Sequence, residues 1–335
     1  MPSRLLIVGH SGESDVGMHF QKAAIELGLD VSFSDLTEAN KGPRWLQSLN
    51  WRIRDHRPIH LHSFSKKVEA RCREFRPGAI LVTGTSPPTV HALDQIGRKG
   101  IKRINFLTDD PWNKSLGSKW FFSALPQYDF IFSSRKANLS DLQNCCSAKI
   151  EYLPFAYAPY IHYPDQLGES SPDIYFAGNA DADRASLMGG LIEQGLNLEL
   201  YGSYWNRFRG TCPANRGRAS LETIRKLSAS AKVSLALVRR ANRDGHAMRS
   251  YELPAFRACI LAEDTQEHRD LYGKEGDAVL YFDSPVKLVE KTRWLLSHPE
   301  ERLSLRARCY ERVVAQGRNT YKDRLVSILE VIGAF

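Results

Sequence analysis

The sequence predicts an α/β protein made of two domains, each a parallel sheet wrapped by helices. At 335 residues the chain is too long for one ordinary domain and suits two of about 150 residues each. Short apolar runs alternate with helical patterns along the chain, as in a parallel sheet covered by helices. Hydrophobic residues make up 42% and charged residues 25%, so both halves can bury a core.

The first series of elements predicts an N-terminal Rossmann-like domain over residues 1–164. A helical pattern over 18–27 stops at Gly28, and another covers 91–96. Because strands and helical patterns alternate here, we expect the strands to run parallel. The predicted strands are 5–8, 30–34, 79–82, 104–107 and 130–133.

The second series predicts a C-terminal Rossmann-like domain over 172–318, followed by a closing helix over 319–335 that packs back on the first domain. The prolines between 153 and 164, followed by Gly168, Ser170 and Ser171, indicate an interdomain linker. Two such domains are expected to meet at a cleft, with ligands at the carboxyl ends of the strands. The predicted strands are 174–177, 198–201, 233–238, 259–262 and 279–282.

The sequence also bears on location and on metal binding. The N-terminal apolar run covers only residues 5–8, and no stretch approaches the roughly 20 apolar residues of a membrane helix. We therefore expect a cytoplasmic protein, which can also work at the inner face of the membrane. The six cysteines show no CxxC pair and no Cys/His ligand spacing, so no metal site is predicted.

Positive charge is concentrated in the first half. Residues 1–150 hold 21 Lys and Arg against 14 Asp and Glu, a net +7 of the total +8. The stretch 41–76 carries ten of these cations and three acids. Such a surface can attract a phosphate-bearing acceptor, an anionic membrane or nucleic acid, and Arg71 and Arg73 are the predicted acceptor-side cations. The alternative is that these cations form the solvated faces of two helices.

The segment 244–262 is the most informative. Asp244 and Glu252 are separated by seven residues, and a short helix, a turn and a buried strand follow. A carboxylate can accept hydrogen bonds from the vicinal hydroxyls of a ribose, and a second one can reach a sugar. The alternative for Glu252 is an acid favoured by a helix dipole. The segment resembles the donor-site signature of GT-B glycosyltransferases, which implies that Glu252 binds the ribose and Asp244 the donor sugar.

A glycine turn follows the predicted strand 174–177. Gly178 and Asn179 come directly after it, and Arg184 lies six residues beyond the glycine. This spacing is similar to that of group-1 glycosyltransferases, in which the glycine admits the pyrophosphate and the cation offsets the charge of the leaving diphosphate. Arg184 and then Arg249 are the predicted phosphate ligands; a surface arginine is the alternative for Arg184. The predicted donor side also includes Gly202, His246, Ser250 and Tyr251.

Two loops of the first domain supply further candidates. Gly9, His10 and Gly12 follow the first strand, where bare backbone and an imidazole can meet a diphosphate or the acceptor. Asp109 and Asp110 follow the strand 104–107, where the active-site loop of an α/β domain begins, although Asp before proline is also a frequent turn former. The predicted catalytic residues are therefore Asp110, Asp244 and His10, with Gly12 and Asp109 on the acceptor side.

Several segments together resemble the spore-maturation, CgeB-like branch of GT-B glycosyltransferases. They are residues 109–111, 153–154, 249–255, 281–288 and 295–302. The resemblance implies transfer of a sugar from a nucleoside-diphosphate sugar to an acceptor hydroxyl, with that donor as co-substrate and no metal or other cofactor. Retention of configuration is expected, and inversion with Asp110 as base stays open.

The acceptor and the class of activity are less narrowly defined. The basic half suits a lipid-linked glycan, a cell-surface polymer or a nucleic acid, and peripheral contact with a membrane. A nucleotide-sugar 2-epimerase-like enzyme has the same two-domain shape. A non-catalytic module that binds sugars or polyanions is the third alternative.

Overall fold

The computed structural model describes residues 4–165 and 172–333, and the predicted linker residues Gly168, Ser170 and Ser171 lie outside these ranges. The chain forms two compact units. Unit 1 comprises Met1–Pro154, Ala241–Arg243 and Tyr321–Phe335; unit 2 comprises Phe155–Arg240 and Asp244–Thr320. No helix in the described ranges has the length and apolar character needed to cross a membrane.

Unit 1 contains a six-stranded sheet in which every neighbouring pair is parallel. Its order is β2-β1-β3-β4-β5-β6, so the chain changes direction across the sheet between β1 and β3. The carboxyl ends of strands at such a switch point form a natural crevice. The strands are β1 (Arg4–Gly9), β2 (Asp30–Asp35), β3 (Ala79–Thr83), β4 (Lys102–Leu107), β5 (Phe130–Ser133) and β6 (Lys149–Tyr152).

The helices of unit 1 cover the sheet and close a core of buried aliphatic and aromatic side chains. The core includes Val8, Phe64, Val82, Leu93 and Phe121. In chain order the helices are α1 (Val16–Glu26), α2 (Arg44–Ile53), α3 (Leu61–Phe75), α4 (Val90–Gly97), α5 (Lys119–Ala124) and α6 (Leu139–Cys145).

Unit 2 repeats the same plan. Its sheet is parallel, with the order β12-β11-β10-β7-β8-β9, and the switch point lies between β7 and β10. The strands are β7 (Ile174–Ala177), β8 (Leu198–Tyr201), β9 (Asn215–Gly217), β10 (Val233–Ala236), β11 (Ile260–Glu263) and β12 (Leu280–Phe282).

Side-chain caps begin four of the helices of unit 2. Asp181, Ser220, Thr265 and Ser284 each accept a hydrogen bond from the backbone amide three residues on, which satisfies a free N–H of the first turn. The helices are α7 (Ala182–Glu193), α8 (Leu221–Ser230), α9 (Arg249–Ala255), α10 (Gln266–Tyr272), α11 (Pro285–Ser297) and α12 (Pro299–Tyr310). A π-helical turn, Glu311–Ala315, extends α12.

The last helix, α13 (Tyr321–Val331), clusters with unit 1 and packs against α1. Tyr321 is buried, with its ring 4.6 Å from that of His19 and 5.4 Å from that of Phe20. Burial lowers the pKa of His19 to about 4, so its ring is neutral in this contact. The closing helix therefore belongs to the core of the first unit.

The predicted α/β class with two parallel sheets is confirmed, and all ten predicted strands are present. Two edge strands were missed. The first, β6, alternates polar and apolar residues over only four positions, and β9 has three residues and no large apolar side chain. The predicted strand 233–238 ends early, at Ala236. Among the cysteines, Cys145 and Cys212 are exposed, whereas Cys72, Cys259 and Cys309 are buried.

Helix α1 lies unusually close to strand β1 because both carry a glycine at the point of contact. A Cβ on Gly17 would lie 2.9 Å from the Cα of Gly9, and a Cβ on Gly9 would lie 2.8 Å from the Cα of Gly17. Real Cβ atoms do not approach backbone so closely, so the pair fixes the distance between helix and strand.

We expect Gly17→Ala to destabilise the protein by roughly 1–3 kcal/mol, because the added methyl overpacks against backbone that cannot move aside. The matched control is Gly190→Ala in α7, where an added Cβ meets no atom within 4 Å. That change should stabilise by roughly 0.5–1 kcal/mol, since alanine is the better helix former. Denaturant unfolding should show a loss of stability for Gly17→Ala and a gain for Gly190→Ala. Equal changes in the unfolding free energy of the two variants would contradict the packing argument.

Candidate functional site

A cavity of about 330 Å³ opens in unit 2 at the carboxyl ends of β7 and β8. It brings together four residues of the predicted donor side, Gly178, Asn179, Gly202 and Arg249. The complete lining is Ala177, Gly178, Asn179, Tyr201, Gly202, Ser203, Arg218, Ala219, Ile224 and Arg249. Arg218 was missed by the sequence analysis, because β9, the strand before it, is too short to be recognised.

The wall of the cavity is made of two strand ends held by backbone hydrogen bonds. Gly178 donates its amide to the carbonyl of Tyr201 (2.8 Å), and Gly202 donates to Gly217 (2.7 Å). Gly202 has φ +136°, and a Cβ there would lie 2.2 Å from the carbonyl oxygen of Gly178. Only glycine fits this position, so the backbone itself lines the cavity.

Asn179 and Trp205 hold the loop after β7 in position. The side-chain oxygen of Asn179 accepts a hydrogen bond from the amide of Ser203 (2.9 Å). Trp205 is fully buried, and its Nε1 donates to the carbonyl of Gly178 (2.9 Å). These contacts tie the β7 loop to the β8 loop.

Arg184 supports the same loop from within the protein. Its guanidinium is buried, lies over the ring of Phe176, and donates to the carbonyls of Asn179 (3.1 Å) and Leu237 (3.4 Å). Burial lowers its pKa, and the carboxylates of Asp181 and other acids oppose that shift. In this conformation Arg184 therefore acts as a positioning group, and its role as a phosphate ligand stays a prediction.

Arg249 and Glu252 form an ion pair on the first turns of α9. Arg249 Nη1 contacts Glu252 Oε2, and Arg249 Nε donates to the carbonyl of Ala177 (3.3 Å). The other carboxylate oxygen of Glu252 lies 3.8 Å from Nε2 of His162. The Nδ1 of His162 accepts from the amide of Ala158 (2.9 Å), so the neutral ring carries its proton on the side of Glu252. His162 was not singled out from the sequence.

Ser250 anchors the start of α9 instead of facing the cavity. Its hydroxyl accepts from the amide of Ala247 (3.0 Å) and donates to Nε2 of His268 (2.8 Å). The Nδ1–H of His268 donates to the carbonyl of Glu263 (2.7 Å). Burial lowers the pKa of His268 to about 4, so the ring stays neutral at physiological pH. A contact between Ser250 and the donor stays a prediction, and this geometry does not favour it.

His246 and Tyr251 pack together in the interior. The His246 ring accepts from the amide of Phe155 at Nε2 (3.2 Å), and its Nδ1 lies 3.2 Å from Oε2 of Glu267. The ring meets Tyr251 edge to face at 5.4 Å. Since both ring nitrogens are used in these contacts, the structure favours a positioning role for His246, and its role in donor binding stays a prediction.

Asp244 occupies the loop between β10 and α9. The residue is half-buried, and its amide donates to the carbonyl of Arg239 (3.2 Å). Its carboxylate is close enough to raise the pKa of Arg184 against the larger effect of burial. Gly245 follows, where a Cβ would collide with Glu267, so the backbone next to Asp244 is tightly packed.

The predicted acids of unit 1 lie in a network with residues of the inserted segment 241–243. Asp110 is buried, and Arg243 contacts both of its carboxylate oxygens, at 2.5 and 3.0 Å. This ion pair raises the pKa of Arg243. Asp109 accepts from the side-chain amide of Asn242 (3.2 Å). The catalytic role of Asp110 stays a prediction, since Arg243 occupies both of its carboxylate oxygens in this structure.

The other predicted residues of unit 1 are at its surface. His10 is exposed, and Gly12 is in a turn whose amide donates to the side chain of Asp15 (3.0 Å). Arg71 donates to Ser32 and to the carbonyl of Phe33. Arg73 lies 3.5 Å from Glu69 one turn away along α3. Arg71 also lines a cavity of about 370 Å³, so of this group it is best placed to meet a ligand.

Within residues 4–165 and 172–333, no cluster of three or more His, Cys, Asp or Glu side chains is arranged to hold a metal ion. The cysteines are all free thiols. Burial raises the pKa values of Cys72 and Cys259 to about 12, so these two remain protonated. The expectation that no metal or other cofactor takes part stays a prediction.

A comparison with protein families finds a match in the second half of the chain. A family model described as glycosyl transferase-like matches residues 184–330. A comparison of the sequence with curated proteins finds no match. The matched region contains Arg218, Arg249 and Glu252, and thus one side of the cavity together with helix α9.

Three solved structures share the fold over nearly the whole chain. The glycosyltransferase from Rickettsia africae ESF-5 has a TM-score of 0.67 at 11% identity, covering 98% of this chain and 97% of that one. Sucrose-phosphate synthase from Thermosynechococcus elongatus gives 0.66 at 11% identity, covering 98% of both chains. Anabaena HepE in complex with UDP-glucose gives 0.61 at 9% identity, covering 99% of this chain and 100% of that one.

The fold is that of GT-B glycosyltransferases, as the sequence predicted. The glycosyl transferase-like family match covers residues 184–330, less than half of the chain. The resemblance to the CgeB-like branch stays a prediction.

We expect the protein to lose stability as the pH falls from 6.5 toward 4, because the unfolded chain then binds a proton at His268 that the folded state excludes. The contribution is present above pH 6.5 and amounts to about 3 kcal/mol when fully lost. His19 in unit 1 acts in the same direction. His268→Gln should therefore show a shallower decline of unfolding free energy between pH 7 and 4.5. An unchanged slope would contradict the neutral, buried ring.

Proposed function

We propose that this protein is an enzyme that transfers a sugar from a nucleoside-diphosphate sugar to an acceptor hydroxyl, and that unit 2 binds the donor. The observation that carries the proposal is the cavity at the ends of β7 and β8, where Arg218 and Arg249 accompany the bare backbone of Gly178 and Gly202. Two cations suit the charge and the oxygen acceptors of a diphosphate, and the absence of side chains at the two glycines lets such a group come close to the backbone. The structure of HepE with UDP-glucose, a protein of the same fold, supports a donor of this class.

Donor binding is proposed to act on the ion pair between Arg249 and Glu252. In this structure Arg249 and Glu252 are each other's partner, and the carboxylate is buried. A diphosphate in the cavity competes for Arg249, because phosphate oxygens are strong acceptors for a guanidinium. Glu252 is then released to accept hydrogen bonds from the ribose hydroxyls. His162 lies on the other side of the carboxylate, with its Nε2 3.8 Å from Oε1 of Glu252.

In the proposed reaction the bond between the sugar C1 and the diphosphate oxygen breaks, and a bond between C1 and the acceptor oxygen forms. The acceptor proton passes to the departing diphosphate, which is the retaining course that the two-acid signature implies. Arg218 and Arg249 stabilise the growing charge without a metal ion. Asp244 contacts the transferred sugar. Retention is favoured over inversion because Arg243 engages the carboxylate of Asp110, the alternative base.

We further propose that the acceptor is anionic, as in a lipid-linked glycan, a cell-surface polymer or a nucleic acid. Charged side chains of both signs line two neighbouring cavities of unit 1. Lys41, His60, Lys67 and Glu38 line one of about 470 Å³, and Lys67, Arg71, Glu38 and Glu74 line one of about 370 Å³. The first has more cations than acids, and its positive charge raises the local concentration of an anionic substrate.

We expect one class of nucleotide among UDP, GDP, dTDP, ADP and CMP to raise the melting temperature, because a ligand bound only by the folded state stabilises it. Arg218→Ala should weaken that nucleotide roughly ten- to hundredfold, since a charged hydrogen bond contributes about 1.5–3 kcal/mol. The control is Arg216→Ala, an exposed arginine that pairs with Glu199 outside the cavity. Titration calorimetry measures both variants.

The control decides what a loss of affinity means. If Arg216→Ala weakens nucleotide binding as much as Arg218→Ala, general positive charge rather than the cavity is responsible. If no nucleotide shifts the melting temperature, the donor site proposed for unit 2 is wrong.

We expect Glu252→Gln to weaken the nucleotide at least tenfold while leaving the affinity for inorganic pyrophosphate equal or higher. The glutamine loses the charge that holds the ribose hydroxyls, whereas Arg249 becomes freer to bind phosphate. Glu290→Gln serves as control, because Glu290 and Lys287 form an exposed pair with the same three-residue spacing. Equal losses for nucleotide and pyrophosphate would instead indicate that the variant disturbs α9 as a whole.

A further inference from the structure

Helix α2 of unit 1 presents a row of large apolar side chains to solvent. Trp45, Leu49 and Ile53 keep 68%, 46% and 67% of their surface exposed. Because they are spaced four residues apart, they lie on one stripe of the helix. Trp51, on another part of the surface, is 41% exposed. A contiguous apolar stripe of this kind marks an interaction surface, since single exposed hydrophobic residues need no such alignment.

The side of α2 that faces the protein is polar at its centre. Asn50 is the buried residue of the helix, and its side-chain amide donates to the carbonyl of Arg57. The usual arrangement of a surface helix is the reverse, with the apolar face turned to the core and polar residues outside. The folding of unit 1 therefore does not account for Trp45, Leu49 and Ile53.

Cations surround this stripe, and acids are absent from it. Lys41, Arg44, Arg52 and Arg54 are all exposed, and residues 39–54 contain no Asp or Glu. Tryptophan beside arginine on an amphipathic helix is typical of helices that lie in the headgroup region of a membrane. Each basic residue close to an anionic lipid surface strengthens membrane binding by a similar factor.

We infer that α2 binds the surface of a membrane that contains anionic phospholipid. Trp45, Leu49 and Ile53 enter the boundary between headgroups and acyl chains, and Arg44 and Arg52 contact lipid phosphates. A nucleic acid would use the cations and leave the apolar stripe exposed to water. A second copy of the chain would bring the arginines of two α2 helices together, and like charges oppose that contact.

The test is co-sedimentation of the protein with vesicles of phosphatidylcholine containing 30% phosphatidylglycerol, and with vesicles of phosphatidylcholine alone. We expect binding to the first that weakens with salt, and at least tenfold weaker binding to the second. The triple variant Trp45→Ser, Leu49→Ser, Ile53→Ser should lose at least tenfold in partitioning. The triple variant Arg44→Ser, Arg52→Ser, Arg54→Ser should lose roughly a hundredfold.

A matched control removes three exposed apolar residues from other helices. In Ile25→Ser, Val286→Ser, Leu303→Ser the original side chains are 54%, 74% and 58% exposed, and we expect unchanged vesicle binding. The inference is overturned if the wild type does not bind anionic vesicles. It is also overturned if the variant that lacks Trp45, Leu49 and Ile53 binds these vesicles as well as the control variant does. Two further results would count against it. One is a dimer, found by light scattering, that is lost when Trp45, Leu49 and Ile53 are replaced. The other is release of the protein from the anionic vesicles by a single-stranded oligonucleotide. None of these measurements depends on sugar transfer.

Discussion

The candidate donor site depends on the close approach of two backbone segments at the ends of β7 and β8. Gly202, with φ +136°, brings the second strand end against the carbonyl of Gly178, at a distance that leaves no room for a side chain. Asn179 and Trp205 then fasten the two loops to each other. Because the wall is backbone held by hydrogen bonds, its shape is fixed before any ligand arrives. Such preorganisation lowers the cost of binding a charged group.

Beneath this wall, unit 2 buries several titratable groups in defined pairs. Glu252 pairs with Arg249, His246 with Glu267, and His268 with Ser250. Burying a polar or charged group costs free energy unless it is hydrogen-bonded, so these pairs specify one arrangement of α9 and its preceding loop. The Arg249–Glu252 pair differs from the others because Arg249 also lines the cavity. A ligand in the cavity can therefore take the place of Glu252 as the partner of Arg249.

The two units show how one plan supports two different surfaces. Each has a parallel sheet with a switch point beside its first strand, and in each a glycine lies at the carboxyl end of that strand. In unit 1 Gly9 packs against α1. In unit 2 a Cβ on Gly178 would lie 2.8 Å from Cζ of Phe176, so this glycine packs closely against that ring, and it also lines the cavity. Unit 1 instead carries its distinctive chemistry on α2 and α3, where cations and exposed apolar residues concentrate.

The sequence by itself determined the α/β class and ten apolar strands, because apolar periodicity is a local property. It also assigned Gly178, Asn179, Gly202 and Arg249 to one predicted site, because glycine turns after strands can be recognised locally. It could not reveal β9 and hence Arg218, because a three-residue edge strand is stabilised by its neighbour rather than by its own residues. Which charges face a ligand was decided only by tertiary structure. Arg184 and His246 look like ligands in the sequence, yet buried partners distant along the chain engage them. Desolvation and partner choice arise only when the chain is folded, and local sequence does not encode them.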